Sequence, residues 1–330
     1  MNFSSLRLAA VLGVCFGIGC GSAPAAKQPG HTEIRIGVSR GSLLFLPVFV
    51  AGPAGCFARQ NLAVRIEETK GNPMVALVGG SLDVISGGYL QVLDLVSQGR
   101  PLRAFLLMQQ FPGFAAIVSP RASRPVHTIT DLKGLNIGVA SPGSESHRIL
   151  NYILRQHGMR PQDINVISLG TGPAQIPSLQ RGKVDVLLAQ GPTITYLQRE
   201  NPDLTVLFDT RTPESTEAAL GVEAMPESVL LAQENWLVSN PGVARRLAAA
   251  FQCTLGWIQD HAPEQIREVL PDSCRSPDGA ADIDAIAYSK RMLSRTGEMT
   301  QAMHQAAVQV SGLAGQTNLE RAYTNEFLKP

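Results

Sequence analysis

The densest group of hydroxyl side chains in this sequence is "SPGSESH", residues 141–147, between an apolar run and a helical pattern. Ser144 and His147 are three positions apart, so both would lie on one side of a first helical turn. A serine nucleophile on such a turn needs a second glycine, where this sequence has Ser146 and His147, and no nearby aspartate would orient the histidine. We therefore assign no catalytic residue and expect no enzyme.

The same stretch is better suited to holding an anion. A strand followed by a tight Ser-Pro-Gly turn and a helix leaves N–H groups and the positive end of the helix dipole at a sheet edge. Ligands bind at this edge in open α/β sheets. Glu145 opposes a fully charged anion there, because a carboxylate in the first turn already complements the dipole. The alternative that Ser144 only caps the helix, a contribution of about 1 kcal/mol, stays open.

Other strand-to-helix turns have a similar composition. Arg40 follows the first predicted strand, and its forked guanidinium suits a carboxylate, sulfonate or phosphate. Gly87 and Gly88 would let backbone amides approach a ligand, and Tyr89 would supply a flat wall. The remaining turns contain Gly, Ser, Thr, Asn and Gln, which form hydrogen bonds but react little. We expect a binding cleft with no cofactor, since no nucleotide-binding motif is found.

Short apolar runs alternate with helical patterns along the chain, which predicts parallel α/β layers. The stretch "GGSLDVISGG" (79–88) is repeated as "RGKVDVLLAQG" (181–191), each with a helix stop, an Asp-Val pair, an apolar strand and a glycine. We interpret the repeat as two related lobes. The apolar segments 113–120 and 227–233 are the predicted crossovers. The helices after them have no strands of their own and are expected to return to the first lobe.

Composition and the N-terminus indicate an exported globular protein. The 330 residues are 44% hydrophobic with a formal net charge of +1, which argues against nucleic-acid binding. "MNFSSLR" and "LAAVLGVCFGI" form a signal peptide too short to span a membrane. "GIGC" resembles a lipobox that would place a lipid on Cys20, although Gly17 replaces the usual leucine. Cleavage after Ala25 is the alternative and would leave a soluble periplasmic protein.

Three cysteines follow the signal segment, so at most one disulfide can form within the chain. In an oxidising compartment Cys253–Cys274 is a candidate pair, closing a loop behind a predicted helix. Two buried thiols are the alternative. Cys56 is left over in either case. No spacing typical of a structural metal site is found among the cysteines and histidines.

The sequence resembles bacterial ABC-transporter solute-binding proteins of the nitrate/taurine/alkanesulfonate type, a group that includes binders of thiamine-pyrimidine precursors. The segments "IRIGVSRGSLLFLPVFVA", "DLKGLNIGVASPGSESHRILNYILRQHGM" and "LQRGKVDVLLAQGPTITYL" carry much of the resemblance. It implies an α/β, two-lobe periplasmic-binding-protein fold (type II), with two crossovers and a ligand cleft that closes by a hinge. We place the signal peptide at 1–20, a tether at 21–32, lobe 1 at 33–117 plus 228–330, and lobe 2 at 118–227.

The resemblance also implies the function. We expect the extracytoplasmic component of an ABC importer, a monomer that captures a small anionic or polar organic solute (sulfonate, nitrate or carboxylate) and delivers it to a membrane permease. The alternatives are a pyrimidine-type thiamine precursor as ligand, or a ligand-sensing partner of a membrane receptor. Membrane attachment would be through lipid only. The predicted ligand-binding residues are Arg40, Gly41, Ser42, Gly71, Asn72, Gly87, Gly88, Tyr89, Ser141, Gly143, Ser144, Ser146, Thr171, Gly172 and Gln190.

Overall fold

The computed structural model describes residues 33–40, 42–69, 73–276 and 278–328. The predicted signal peptide and tether, with Cys20, lie outside these ranges. So do three of the predicted ligand-binding residues, Gly41, Gly71 and Asn72.

The strands of the described chain form two five-stranded sheets, one in each lobe. The first sheet contains β1 (Ile34–Ser39), β2 (Val64–Thr69), β3 (Val84–Gly88), β4 (Leu102–Leu107) and, from far along the chain, β10 (Ser228–Gln233), in the order β2-β1-β3-β10-β4. The second contains β5 (Phe114–Val118), β6 (Asn136–Val139), β7 (Asn165–Ser168), β8 (Val186–Gln190) and β9 (Val206–Asp209), in the order β7-β6-β8-β5-β9. In each sheet one strand, β10 or β5, runs antiparallel to its neighbours.

Helices cover the sheets and form most of the C-terminal part. They are α1 (Leu46–Val50), α2 (Cys56–Arg59), α3 (Met74–Val78), α4 (Tyr89–Ser97), α5 (Glu145–Gln156), α6 (Ile176–Gln180), α7 (Pro192–Glu200), α8 (Pro213–Leu220), α9 (Glu234–Ser239), α10 (Pro241–Asp260), α11 (Pro263–Val269), α12 (Gly279–Met292) and α13 (Gln301–Ser311). None of those in the described ranges is both long and apolar enough to cross a bilayer.

The two sheets have the same strand order, which confirms the predicted duplication. The repeated Asp-Val pair has a structural role in both copies. Asp83, before β3, accepts a hydrogen bond from the backbone N–H of Arg35 at 2.9 Å, and Asp185, before β8, accepts one from Asn136 at 2.9 Å. Each aspartate therefore satisfies a donor of the neighbouring strand, a charge-assisted bond that fixes where the two strands align.

The first predicted lobe boundary is wrong. We placed it between residues 117 and 118, but β5 pairs along its length with β8 and β9 and belongs to the second sheet. All five residues of β5 are buried, because a central strand is covered on both faces. The chain thus enters the second lobe by Phe114, and it returns to the first sheet at Ser228.

The C-terminal helices return to the first lobe as predicted, and they also contact the second. α10 packs on α1 and α2, whereas α13 packs between α4 of the first lobe and α5 of the second. Apolar side chains of α4, α5 and α13, including Leu93, Ile153 and Val310, belong to one continuous buried cluster. The lobes are therefore held together by apolar packing as well as by the crossovers.

The predicted Cys253–Cys274 pairing is also wrong. Cys253 on α10 forms a disulfide with Cys56 at the start of α2, and Cys274 is a buried free thiol. The side chain of Cys253 points to α2 because α10 lies across that helix, whereas Cys274 lies within the apolar core of the first lobe. Sequence proximity favoured the wrong partner, since 197 positions separate the bonded cysteines.

Candidate functional site

The two lobes meet at the edge where β3 and β8 end. Ser228, the first residue of β10, pairs with Gly88 at the end of β3. Gln190 ends β8 in the other lobe, and its Nε2 donates to the backbone oxygen of Pro112 at 2.8 Å and to Glu227 Oε1 at 3.2 Å. Two of the predicted residues, Gly88 and Gln190, are thereby brought to either side of Glu227.

Two glutamates, one on each side of this junction, bring their carboxyl groups together between the lobes. Glu145 is the first residue of α5, and Glu227 precedes β10. Both glutamates adjoin Gly88: Glu145 Oε2 lies 3.4 Å, and the backbone oxygen of Glu227 lies 4.0 Å, from the position that a Cβ atom on Gly88 would occupy. Two ionised carboxyls this near to each other repel, so the Glu145 carboxyl raises the pKa of Glu227.

Burial governs the ionisation of this pair. It raises the pKa of Glu145 to about 7, against smaller opposing effects of the hydrogen bond to Glu227 and the charge of Arg148. Burial and then the neighbouring Glu145 raise the pKa of Glu227 well above its ordinary range. Glu145 Oε1 and Glu227 Oε2 are buried without a hydrogen-bond partner. The pair is therefore much harder to ionise fully than two ordinary carboxyls, and it tends to keep a proton near neutral pH.

Several uncharged polar side chains next to the pair are fully buried and have no hydrogen-bond partner. They are the hydroxyls of Ser86 and Ser228 and both polar atoms of the Gln109 amide. Ser86 lies two residues before Gly88 on β3, and Ser228 lies directly opposite Gly88 on β10, so both are on the sheet face of Gly88. The Gln109 backbone exchanges hydrogen bonds with Ser228 and Glu227. Because buried polar groups are normally paired, this concentration points to a missing partner.

The turn 141–147 adopts the helix-cap geometry that the sequence left open. Ser144 is the N-cap of α5, its hydroxyl accepts from the backbone N–H of His147, and it contacts the Ser146 hydroxyl at 3.0 Å. The His147 ring accepts from Gly143 N–H at Nδ1, 2.9 Å away, instead of contacting Ser144. The N–H groups with partners inside the turn are those of Ala140, Ser141, Gly143, Ser144 and His147. The Ser144 hydroxyl therefore caps α5, and it does not form a catalytic pair with the His147 ring.

Two predicted cleft residues lie in the protein core instead. Tyr89 is completely buried, and its hydroxyl bonds to His304 Nδ1 on α13 at 2.7 Å. The side of Gly87 that a Cβ would occupy faces Leu231 and Ile85. Successive residues of a strand face opposite sides, so Gly87 faces the core when Gly88 faces the other lobe. Tyr89 begins α4, and its side chain also faces the core.

Arg40 does not point between the lobes as an unpaired cation. Its side chain is 60% exposed, and its Nε lies 4.0 Å from Glu68 on β2. Ser42 is half-buried and begins the 3₁₀ turn Leu43–Phe45. Thr171 and Gly172 follow the outer strand β7, where Thr171 is exposed, as are Ser141 and Gly143. These residues lie on the predicted sheet edge, but none forms a hydrogen bond or ion pair with the side chain of Glu145 or Glu227.

An ion pair links the lobes beside the carboxyl pair. Arg148 on α5 contacts Asp94 on α4 at 2.6 Å, and each side chain is about a quarter exposed, at 26% and 24%. Arg148 also donates from Nε to the backbone oxygen of Gly143 at 3.0 Å. Desolvation raises the pKa of Asp94 despite the neighbouring guanidinium. Arg148 is thus already neutralised and held by hydrogen bonds in this arrangement of the lobes.

Sequence reasoning missed Glu227 and Gln109 and misjudged Glu145. From sequence, Glu145 is only a first-turn carboxylate that opposes an anion, and Glu227 has no assigned role. The two glutamates are 82 positions apart, and only the return of the chain at β10 brings them together. One signal was present: Glu227 directly precedes the mostly apolar strand "SVLLAQ", a position where a charged residue needs a partner.

A separate cavity of about 260 Å³ lies at the opposite edge of the first sheet, where β3 begins and β10 ends. Its principal polar groups are already paired: Asp83 with Arg35, and Gln233 Nε2 with the backbone oxygen of Leu77. It is lined by Gly80, Leu82, Asp83, Gln233, Asn235, Trp236, Ser239 and Asn240. Within the described ranges, no group of histidine, cysteine, aspartate and glutamate side chains is arranged to hold a metal ion.

Comparison with known proteins agrees with this architecture. A solved structure from Bordetella bronchiseptica RB50 is 29% identical, with a TM-score of 0.75, and the match covers 90% of this chain and 95% of that one. The periplasmic aliphatic sulphonate binding protein SsuA from Escherichia coli is 21% identical, with a TM-score of 0.69, covering 90% and 99% of the two chains. At this identity the likeness to SsuA shows the shared fold.

Sequence comparison gives the family. The riboflavin-binding protein RibY of Chloroflexus aurantiacus is 24% identical over 330 aligned positions, covering 93% of this chain and 89% of RibY. The family model described as NMT1/THI5 like matches residues 43–265, more than half of the chain. The chain therefore belongs to the NMT1/THI5-like family and has the two-lobe fold of periplasmic solute-binding proteins.

Proposed function

We propose that this protein is the solute-binding component of an ABC importer, and that it captures a small polar organic solute between its lobes. The observation that carries the proposal is the group of buried, unpartnered polar side chains at the junction of the lobes. A buried polar group without a partner costs about 1–3 kcal/mol, and a bound solute that pairs with several of them would recover that cost. Membership of a family with this fold supports the same role.

The geometry favours a solute that donates hydrogen bonds over the anion suggested by Arg40. Glu145 and Glu227 present carboxyl oxygens to the junction, while Arg40 lies outside it beside Glu68. An anion placed between two acidic groups would be repelled as soon as either ionises. Of the two ligand classes considered from sequence, a pyrimidine-type solute with N–H groups is thus better supported than a sulfonate, nitrate or carboxylate.

Thermal unfolding of the chain from Lys27 onward, against a panel of solutes, tests the proposal. The panel contains nitrate, taurine, MOPS, citrate, cytosine, 4-aminopyrimidine and riboflavin. A solute at 100 times its dissociation constant adds about 2.7 kcal/mol of stability, which raises the unfolding temperature by several degrees. We expect a nitrogen heterocycle to raise it. A shift produced only by the anions would contradict the ligand class, and no saturable shift with any solute would contradict solute capture.

We further propose that the protein is exported and anchored by a lipid on Cys20. The support is the n-region, the apolar h-region and the "GIGC" sequence that precedes the tether. Expressed in a bacterium with its own leader, the protein should partition into the membrane fraction, and Cys20→Ala should release it or block its processing. A protein whose mature N-terminus is Ala26 or Lys27, in the soluble periplasmic fraction, would contradict the anchor.

A further inference from the structure

We propose that Glu145 and Glu227 form the subsite for a positively charged nitrogen group of the solute, such as an amidinium or ammonium. This inference rests on the proposed function and names the chemistry that the site selects. It assigns to each lobe one of the two acceptors, so the cationic group would join the lobes when they close.

The first argument is the geometry of the acceptors. Glu145 belongs to the second lobe and Glu227 to the chain segment that returns to the first, and both adjoin Gly88, with Glu145 Oε2 at 3.4 Å and the Glu227 backbone oxygen at 4.0 Å from the Cβ position there. A planar amidinium donates two parallel N–H bonds and suits carboxylate oxygens. Gly88 contributes to the fit, because any side chain there would begin 3.4 Å from Glu145 Oε2.

Uncharged polar side chains beside Glu145 and Glu227 also point to a solute. Gln109, Ser86 and Ser228 are fully buried at the same junction, and their side-chain polar atoms have no partner. Nothing in the described protein uses these groups, so they are available to the rest of a solute whose nitrogen group lies at the carboxyls. An ion-pair network that served only stability would leave no such uncharged groups unpaired.

The third argument is the charge around the pair. The charged groups that act on it are Arg148 of α5 and Asp94 of α4, and these already neutralise each other at 2.6 Å. β8 contributes the uncharged Gln190, and β3 and β10 contribute Gly88 and Ser228. His147 of α5 turns its ring to Gly143 and Asn151 instead. Among the described residues, no unpaired cation faces the two carboxyls.

Exchange with a proton follows from the burial of the pair. In the solute-free protein a proton is held on one of the two carboxyls. When the cationic group binds, the O–H bond of that carboxyl breaks, the proton leaves to the solvent, and N–H bonds from the solute replace it. Burial raises the pKa of Glu145 to about 7 and that of Glu227 well above the ordinary range, so the proton is present at neutral pH and must be displaced. Affinity for the cation should therefore rise with pH.

Titration calorimetry with two probes of equal size and opposite charge tests the inference. Benzamidine and benzoate are titrated into the chain from Lys27 onward at pH 6, 7 and 8, each in two buffers of different ionisation enthalpy. We expect benzamidine to bind with release of about one proton at pH 7 and with higher affinity at pH 8 than at pH 6. Benzoate should not bind. Glu227→Gln should weaken benzamidine at least about tenfold and remove its pH dependence, as should Glu145→Gln.

Glu217→Gln, at an exposed position on α8, is the matched control. It should change neither the affinity for benzamidine nor the pH dependence of that affinity. Benzoate binding as tightly as benzamidine, or benzamidine binding that is unaffected by Glu227→Gln, would overturn the subsite. A protein that binds neither probe but is stabilised by another solute would also overturn it, while solute capture would stand. Both Gln variants are first checked for the wild-type unfolding transition, and loss of binding counts only in a variant that passes.

Discussion

At the scale of single residues, the carboxyl pair should make the stability of the protein depend on pH. Burial raises the pKa of Glu145 to about 7 and that of Glu227 well above its ordinary range, whereas both would ionise near pH 4.5 in the unfolded chain. Groups with a raised folded pKa contribute most below the unfolded value and lose that contribution as pH rises through the folded one. We expect the free energy of unfolding to fall between pH 5 and 8 by up to about 1.4 kcal/mol per pH unit for each proton held.

Urea denaturation at half-unit pH intervals measures this slope. In Glu145→Gln/Glu227→Gln the decline between pH 5 and 8 should be much smaller, while Glu217→Gln should retain it. A wild-type stability that is constant or rises over this interval would show that the carboxyls ionise freely.

Tyr89 provides a second prediction at this scale. Burial lowers the pKa of His304, so its ring is neutral and Nδ1 can accept the Tyr89 hydroxyl at 2.7 Å. Tyr89→Phe should lower the free energy of unfolding by about 1–3 kcal/mol, because a buried acceptor loses its donor. Solute affinity should stay unchanged, as measured by the thermal shift with a stabilising solute. A variant with wild-type stability and weakened solute binding would show that Tyr89 contacts the solute.

The residue scale is also where sequence reasoning was least complete. Capping by Ser144 follows from local chemistry, and the structure has it. The direction of Glu145 does not, because whether a first-turn carboxylate faces solvent or another lobe depends on what packs across from it. Gly88 and its neighbour Gly87 look identical in sequence, yet only Gly88 faces the other lobe, since strand faces alternate.

At the scale of elements, the disulfide should be a principal link between α2 and α10. Replacing both Cys56 and Cys253 by Ser should lower the free energy of unfolding by about 2–4 kcal/mol, mainly by freeing the unfolded chain. Denaturant titration with and without reductant measures it. Without reductant, the denatured chain from Lys27 onward should show one free thiol, that of Cys274. Three free thiols, or a crosslinked peptide containing Cys274, would contradict the pairing.

Strand and helix positions were predictable because their signals are local. The repeated Asp-Val strands became β3 and β8 at matching positions of two equivalent sheets. The strand β5 was assigned to the wrong lobe because an apolar segment carries no sign of which sheet it will join. The disulfide was predicted wrongly for the same reason, since α10 contacts α2 only after the chain has returned from the second lobe.

At the scale of the whole molecule, the closed arrangement should depend on the Arg148–Asp94 pair. Asp94→Asn leaves the guanidinium without its carboxylate and should disfavour closure by about 1–3 kcal/mol, which weakens solute binding roughly five- to 150-fold. Small-angle scattering of the solute-free variant should give a larger radius of gyration than the wild type. A scattering profile and affinity equal to those of the wild type would show that the apolar packing of α13 alone sets closure.

Asp284→Asn is the matched control for this prediction. It removes a second ion pair between the lobes, Arg199 on α7 with Asp284 on α12 at 3.4 Å. Both of those side chains are about half exposed, at 50% and 47%, so the pair contributes less than about 1 kcal/mol. Its loss should leave the scattering profile and the affinity near those of the wild type.

Polar groups between the lobes are left unpaired, in the proposed function, because a solute pairs with them. Gln109 tests this most directly, since both of its polar side-chain atoms are buried without a partner. Thermal unfolding of wild type and Gln109→Met is measured with and without a solute that stabilises the wild type. Without solute, the variant should unfold at the same or a higher temperature, because an apolar side chain of similar length has no unpaired atoms, and the shift caused by the solute should be lost. A variant that is less stable without solute and keeps the full shift would show that Gln109 serves the fold and not the solute.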